Sequence, residues 1–98
     1  MINHIVLVKV NDASKRDYCI EEMRKLAQLD SAESVIVEPE LGVSPNRWDF
    51  AIITQHKDEE QLVTFRDDET HKKLGGGIAQ YVEAMASVDF GSDQVAIS

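Results

Sequence analysis

The stretch that decides the fold is INHIVLVKV, residues 2–10. It is rich in β-branched residues, which are typical of strands. Successive residues of a strand point to opposite faces, so Val6 and Val8 lie on one face and Ile5 and Leu7 on the other. A strand that is apolar on both faces is expected to be covered on both sides. The polar exception on the first face is His4, and a buried imidazole needs hydrogen-bond partners.

The composition indicates one small domain, residues 1–98. The chain has 98 residues, of which 43% are hydrophobic, so it is too short for two cores and too apolar to be disordered. Its net charge of −8 argues against a nucleic acid or an anionic membrane as partner. The single cysteine, Cys19, fits a reducing compartment, and no apolar run is long enough to span a bilayer. We therefore expect a cytoplasmic protein.

Strand and helix patterns follow one another in the order β-α-β-β-α-β. This order predicts an α+β, ferredoxin-like fold with one antiparallel four-stranded sheet. Its helices cover one face of the sheet, although the strands are apolar on both. A second copy is the simplest cover for the other face, which predicts a homodimer that closes a dimeric α/β barrel. The predicted strands are 2–10, 34–43, 48–55 and 86–90, and the predicted helical regions are 14–29, 58–66 and 71–85.

Several residues set local expectations. Ser14 is predicted to cap the first helix and Asp58 the second. Pro39 cannot donate to a ladder, so its strand is expected at an edge or at a bulge. Each glycine of Gly75-Gly76-Gly77 costs a helix about 1 kcal/mol, which predicts a helix break or a close neighbour, with an anion-binding loop as the weaker alternative. The tail 94–98 carries Val95 and Ile97, which are apolar enough to pair with a neighbouring segment.

Four segments carry a resemblance to a known family: Met1–Leu7, Trp48-Asp49, His71 and the closing Val88-Asp89-Phe90. In these segments and in its element order the chain resembles the stress-responsive A/B barrel domain (Dabb, or dimeric α/β barrel) family. The resemblance implies a homodimer of ferredoxin-like subunits. Most members of this family have no assigned reaction. A few plant-type members, olivetolic acid cyclase among them, cyclise linear poly-β-keto intermediates without metal or cofactor.

The resemblance also implies a catalytic set of His4, His71 and Asp89, in which His71 is the general acid/base. A tyrosine that assists this histidine in the cyclases is replaced here by Phe65, and Asp68-Glu69 stand where the family usually has His-Pro. The cyclase reaction would therefore lack one hydroxyl. No cofactor is expected, and no metal, because the histidines have no paired spacing. The predicted substrate contacts are Phe65, Trp48 and Leu74.

The same residues can also have purely structural roles. His4 can be a buried histidine that simply holds Asp89 or a backbone carbonyl, and His71 can be structural too. His56 precedes a charged turn and is predicted to be a solvated loop residue, and Cys19 is predicted to fill the core. Two functions stay open. One is a homodimer with a pocket for a small apolar or aromatic keto or phenolic ligand, without an assigned reaction. The other is a cofactor-free enzyme, cyclase-like or monooxygenase-like, that acts on such a compound.

Overall fold

The computed structural model describes residues 1–92, so the predicted pairing of Val95 and Ile97 lies outside the described residues. In these residues the chain forms a four-stranded antiparallel sheet with helices packed on one side. The ferredoxin-like α+β fold is thus confirmed. The strands are β1 (Ile2–Val10), β2 (Ser34–Pro39), β3 (Phe50–His56) and β4 (Val82–Gly91), and the helices are α1 (Arg16–Arg24), α2 (Glu59–Asp67) and α3 (Glu69–Ile78).

The opening strand lies inside the sheet, whose order is β2-β3-β1-β4. β1 pairs antiparallel with β3 on one side and with β4 on the other. The register sets His4 opposite Thr54 of β3 and opposite Asp89 of β4. Pro39 ends the edge strand β2, as its missing N–H predicts. The two predicted site residues of the first and last strands are therefore direct neighbours.

The helix-covered face of the sheet, called the covered face below, holds the core. Val6, Val8 and Val10 of β1 are at most 7% exposed on this face. Cys19 of α1 is fully buried among them, as predicted, and burial raises the pKa of its thiol. The other buried apolar residues are Ile20, Met23, Leu26, Leu29, Val37, Phe50, Ile52, Phe65 and Ile78.

The opposite face of the sheet, called the bare face, is also apolar. The register aligns Ile36, Ile53, Ile5 and Val88 across all four strands. Ile36 is 51% and Val88 55% exposed, and Phe90 is exposed beside them. No helix in residues 1–92 covers this face. The predicted contrast between two apolar faces and a single helical layer is thus present in the structure.

Two predicted strand ends around the hairpin are wrong. β2 ends at Pro39 instead of residue 43, because Leu41 and Val43 lie in a loop where they are 86% and 82% exposed. β3 begins at Phe50 instead of residue 48. The side chain of Asn46 accepts a hydrogen bond from the backbone N–H of Trp48 at 2.8 Å, which holds this segment in a turn. Trp48 therefore falls outside the alternation of the strand.

The last helix is shorter and the last strand longer than predicted. α3 ends at Ile78, a 3-10 turn follows, and β4 already begins at Val82. The apolar spacing that predicted a helix to residue 85 includes Val82 and Met85. Both residues instead pair with β1, opposite Val10 and Val8, with a register shift between Lys9 and Val10. The hydrogen bonds of this ladder outweigh the helical preference of Glu, Ala and Met.

The glycine run does not do what was predicted. Gly75, Gly76 and Gly77 lie inside α3, which continues to Ile78 without a break. A Cβ atom built on any of the three would meet nothing within 4 Å. Neither a helix break at the run nor close packing against a neighbour explains the glycines, so both predictions are wrong.

Carboxylate caps set the helix starts. Asp58 accepts a hydrogen bond from the backbone N–H of Gln61 at 2.8 Å, as predicted for α2. The first helical turn is capped by Asp12 through the N–H of Ser14, so the predicted cap at Ser14 is wrong. Asp68 accepts from the N–H of Thr70 at 2.7 Å and caps α3. This last cap fixes the turn that carries the predicted site residue His71.

Candidate functional site

A cavity of about 430 Å³ opens between the covered face of the sheet and the helices. Most of its wall is apolar, which suits a small organic molecule, since such sites are typically mostly apolar with a few polar groups. The polar groups of the wall come from His4, Thr54, Arg66, His71 and Ser87. The apolar wall is formed by Val6, Val8, Met23, Leu26, Ile52, Phe65, Gly75, Ile78, Ala79, Val82 and Met85.

His4 and Asp89 form an ion-pair contact between neighbouring strands. The Nδ1 atom of His4 donates to a carboxylate oxygen of Asp89. The two side chains are 20% and 51% exposed, so the pair lies at the border of the core and solvent. Asp89 itself lies on a neighbouring groove beside Ile2 and Leu62. Its connection to the cavity is the imidazole of His4, which lines the wall.

His71 lies in the first turn of α3 and lines the same cavity. Its Nδ1–H donates to the backbone carbonyl of Phe65 at 2.9 Å. A carbonyl oxygen only accepts, so Nδ1 carries the proton of the neutral ring and Nε2 carries the lone pair. Within residues 1–92, Nε2 has no hydrogen-bond partner. The structure thus holds His71 in the tautomer that leaves one ring nitrogen free to accept a proton.

Phe65 forms an aromatic wall behind His71. Its ring centroid lies 4.5 Å from that of His71 and 4.8 Å from that of His56, and its side chain is 1% exposed. This is the position where the resemblance expects an assisting tyrosine. Phe65 can orient the imidazole of His71 by packing, but it has no hydroxyl to donate.

His56 is not a solvated loop residue, so that prediction is wrong. β3 includes residue 56, and the alternation from Ile52 through Thr54 directs its side chain to the covered face, where it is fully buried. Its Nδ1–H donates to the carbonyl of Ser31 at 2.6 Å, and its Nε2 accepts from the hydroxyl of Thr54 at 2.8 Å. Burial lowers the pKa of His56, so the ring stays neutral. A strand pattern carried one residue further, to residue 56, would have found it.

Two predicted substrate contacts lie away from the cavity. Trp48 lines a groove with Leu7 and Ala51, and the guanidinium of Arg47 lies 4.8 Å from the centroid of its ring. Leu74 packs against the core without reaching the cavity wall. The structure therefore brings His4, His71 and Phe65 to one cavity, with Asp89 attached to His4. Arg66, which the sequence analysis missed, also lines it.

Two broader properties of the described chain bear on the site. Among residues 1–92, no three His, Cys, Asp or Glu side chains are grouped so that they could hold a metal ion. Over the same range, the helices are too short or too polar for any of them to cross a membrane.

Comparison with known proteins places the chain in a family. Residues 2–92 match the sequence profile of the stress responsive A/B barrel domain, Dabb. The chain belongs to this family. No curated protein matches its sequence significantly. The resemblance read from the opening and closing strands is therefore confirmed at the level of the Dabb family.

Solved structures share the fold at low sequence identity. A dimeric ferredoxin-like protein of unknown function from Thermobifida fusca is 23% identical, with a TM-score of 0.82 over 93% of this chain and 90% of that one. A Dabb family protein from Mesorhizobium loti is 14% identical, with a TM-score of 0.80 over 93% and 95%. An antibiotic biosynthesis monooxygenase is 14% identical, with a TM-score of 0.77 over 96% and 100%. These likenesses show the ferredoxin-like fold of this Dabb domain.

Proposed function

We propose that this Dabb domain is a cytoplasmic homodimer that binds a small keto or phenolic compound in the cavity beside His4 and His71. The observation that carries the proposal is the cavity itself, about 430 Å³ of mostly apolar wall with two imidazoles on it. Small-molecule sites typically enclose about 300–1,000 Å³ and place a few polar groups on an apolar wall. An aromatic or alkyl body suits this wall, and an oxygen on that body suits the imidazoles.

The bare face supports the homodimer. Ile36, Val88 and Phe90 are exposed there next to Ile5 and Ile53, which makes a continuous apolar surface. Contiguous exposed apolar surface on a small domain typically marks an interface. The similar protein from Thermobifida fusca is described as dimeric. Two copies that join these faces would enclose both and form a barrel-like assembly, and sedimentation should give twice the chain mass of 11.0 kDa.

Filling the cavity tests the binding proposal. The residues Gly75 and Gly76 are neighbours in α3, and only Gly75 lines the cavity. A Cβ at either position meets nothing within 4 Å, so a side chain can be started at both without a contact at Cβ. We expect Gly75→Leu to weaken the binding of 2-naphthol and 2-acetylnaphthalene about tenfold or more, as measured by calorimetry, because its side chain occupies the site. Gly76→Leu is the matched control and should bind as wild type. Equal affinities in both variants would refute the cavity as the site.

A second candidate function, cofactor-free proton transfer, is favoured by the tautomer of His71. Its Nδ1–H is held by the carbonyl of Phe65, so Nε2 can take a proton from an acidic C–H or O–H of the ligand and later return it. The ligand would pass through an enolate or phenolate. The imidazole of His4, whose Nδ1 contacts Asp89, lines the same cavity and would lie near this charge.

Deuterium exchange of a β-diketone probe tests this candidate. We expect wild type to exchange the C–H between the carbonyls slowly, because Phe65 supplies no donor to the enolate oxygen. Phe65→Tyr should speed the exchange by up to about 100-fold, the typical effect of one positioned donor. His71→Gln in the same background should abolish the gain. Fast exchange by wild type would show that Phe65 is no handicap, and no exchange in any variant would leave binding as the function.

A further inference from the structure

Arg66 is the one side chain with a permanent charge on the cavity wall, among the residues that the structure describes. Within residues 1–92, no Asp, Glu or Lys lines the wall, although the whole chain has 18 Asp and Glu residues and 10 Lys and Arg residues. Arg66 lies in the last turn of α2, and its side chain is 67% exposed, so this residue lines the cavity where the wall meets solvent. A lone cation at the opening of an apolar cavity favours a ligand with a negative end.

Most of the hydrogen-bond donors of the Arg66 guanidinium are not engaged by residues 1–92. Its one polar contact within residues 1–92 runs from Nε to the carboxylate of Asp67 at 3.5 Å. By contrast, both terminal nitrogens of Arg24 are engaged, each at 2.8 Å, by Glu21 and Glu38. The terminal nitrogens of Arg66 are therefore open to a carboxylate, which a guanidinium can bind through two parallel hydrogen bonds.

His71 supplies the second polar contact of the same site. The carbonyl of Phe65, the residue before Arg66, fixes the ring so that Nε2 accepts a hydrogen bond. A ligand hydroxyl can donate to this atom, whereas a ketone oxygen cannot. The apolar wall of the same cavity includes Val8, Ile52 and Met85. The ligand that matches all three parts has a carboxylate, an apolar ring and a hydroxyl.

We propose that the cavity binds a hydroxylated aromatic carboxylate, whose carboxylate pairs with Arg66 and whose hydroxyl donates to Nε2 of His71. This inference rests on the proposed binding function and narrows it from keto or phenolic compounds to phenolic acids. It makes Arg66 the residue that determines specificity, and it makes neutral ketones the poorer ligands.

Three related probes separate the parts of this match: 6-hydroxy-2-naphthoate, its methyl ester, and 6-methoxy-2-naphthoate. Their affinities for the full-length protein are measured by calorimetry at low salt. We expect the hydroxy acid to bind about tenfold tighter than its ester, because one charge-assisted pair at a partly exposed site is lost. The methoxy acid should also bind about tenfold more weakly, because it leaves His71 without a donor. Raising the salt to about 0.5 M should reduce the preference for the acid.

Arg66→Gln and Arg16→Gln form a matched pair of variants. Arg16, like Arg66, contacts the carboxylate of the next residue, here Asp17 from Nε and Nη2 at 3.1 Å, but it does not line the cavity. Arg66→Gln should bind the ester as wild type does and lose the preference for the acid. Arg16→Gln should keep that preference. Both side chains are exposed at the surface, at 67% and 40%, so both variants should unfold like wild type.

The outcomes separate this inference from the proposed function. Equal binding of acid and ester by wild type, or a preference that survives in Arg66→Gln, overturns the carboxylate site while the cavity remains a binding site. Equal binding of the hydroxy and methoxy acids overturns the role of His71. Failure of all three probes to bind overturns the proposed function and this inference with it.

Discussion

The two faces of the sheet come from the same alternating strands but have different surroundings. On the covered face, Val8 and Phe50 are each 1% exposed under the helices. On the bare face, Ile36 and Val88 are more than half exposed. Residues 1–92 supply helices for one face only. The difference shows that apolar alternation reports which residues need cover, but not whether the cover comes from the same chain.

The largest effect on the free energy of unfolding is expected when a buried side chain of the covered face is removed. Phe50→Ala removes a fully buried ring from the covered face and should lower the free energy of unfolding by about 3–5 kcal/mol. Urea unfolding at a fixed protein concentration measures this. Leu41→Ala is the control, because Leu41 is 86% exposed, and its effect should stay within about 0.5 kcal/mol. Equal effects would mean that the covered face is not the core.

A substitution on the bare face should weaken the association of two copies of the chain. Val88→Asp places a carboxylate on the apolar surface of each copy. We therefore expect the dissociation constant of the proposed dimer to rise about 100-fold, or by about 3 kcal/mol. The circular dichroism spectrum should stay that of the folded chain. Sedimentation at micromolar concentration measures the mass. Val43→Asp is the control, since Val43 is an apolar residue that is 82% exposed in the loop between β2 and β3. A Val88→Asp protein that stays dimeric would contradict the proposed interface.

The covered face contains a titratable ring, His56, and should therefore make stability depend on pH. Burial lowers the pKa of His56 in the folded state below its ordinary value of 6.5, so the unfolded chain binds the proton more readily. The stability from this group is complete above pH 6.5 and is lost as the pH falls towards the folded pKa, at a slope of up to about 1.4 kcal/mol per pH unit. His56→Phe should flatten this slope in urea unfolding between pH 5 and 7. An unchanged slope would show that another group titrates.

The smallest effect is expected at the edge of the covered face, where His4 and Asp89 are partly exposed to solvent. Asp89→Ala leaves the Nδ1–H of His4 without its acceptor, but water can reach the partly exposed ring. We therefore expect a loss of about 1 kcal/mol in the free energy of unfolding. In a His4→Ala background the same change should cost less, and this difference is the coupling of the pair. Purely additive effects would mean that the two side chains do not support each other.

The fold and the pairing of His4 with Asp89 could be predicted because both follow from alternation. Residues two apart in a strand share a face, and the β-α-β-β-α-β order makes the first and last strands neighbours. The neighbourhood of His71 and Phe65 was also accessible, through the family resemblance. These predictions need only the order of the elements and the face of the sheet to which each strand residue points.

The wrong predictions concern residues at the ends of strands and helices, where a shift of one or two residues changes the surroundings of a side chain. The sequence pattern ends β3 one residue early, which leaves His56 to solvent, and it includes Trp48 in the strand although a turn holds this residue. β4 was started late, because Val82 and Met85 have spacing that fits a helix equally well. No sequence signal marks Arg66 as a cavity residue, since its charge is also typical of an exposed helix end. Its role depends on where α2 ends over the sheet.

Cys19 has a practical consequence. It is the sole cysteine of the chain, it is fully buried in α1, and its raised pKa keeps it a thiol at neutral pH. Alkylating reagents react with thiolates, so the folded protein should resist them until α1 separates from the sheet. The rate of labelling therefore reports how often the native structure opens at α1, without any engineered probe. Mass spectrometry of the labelled chain would read this rate with and without a ligand in the cavity.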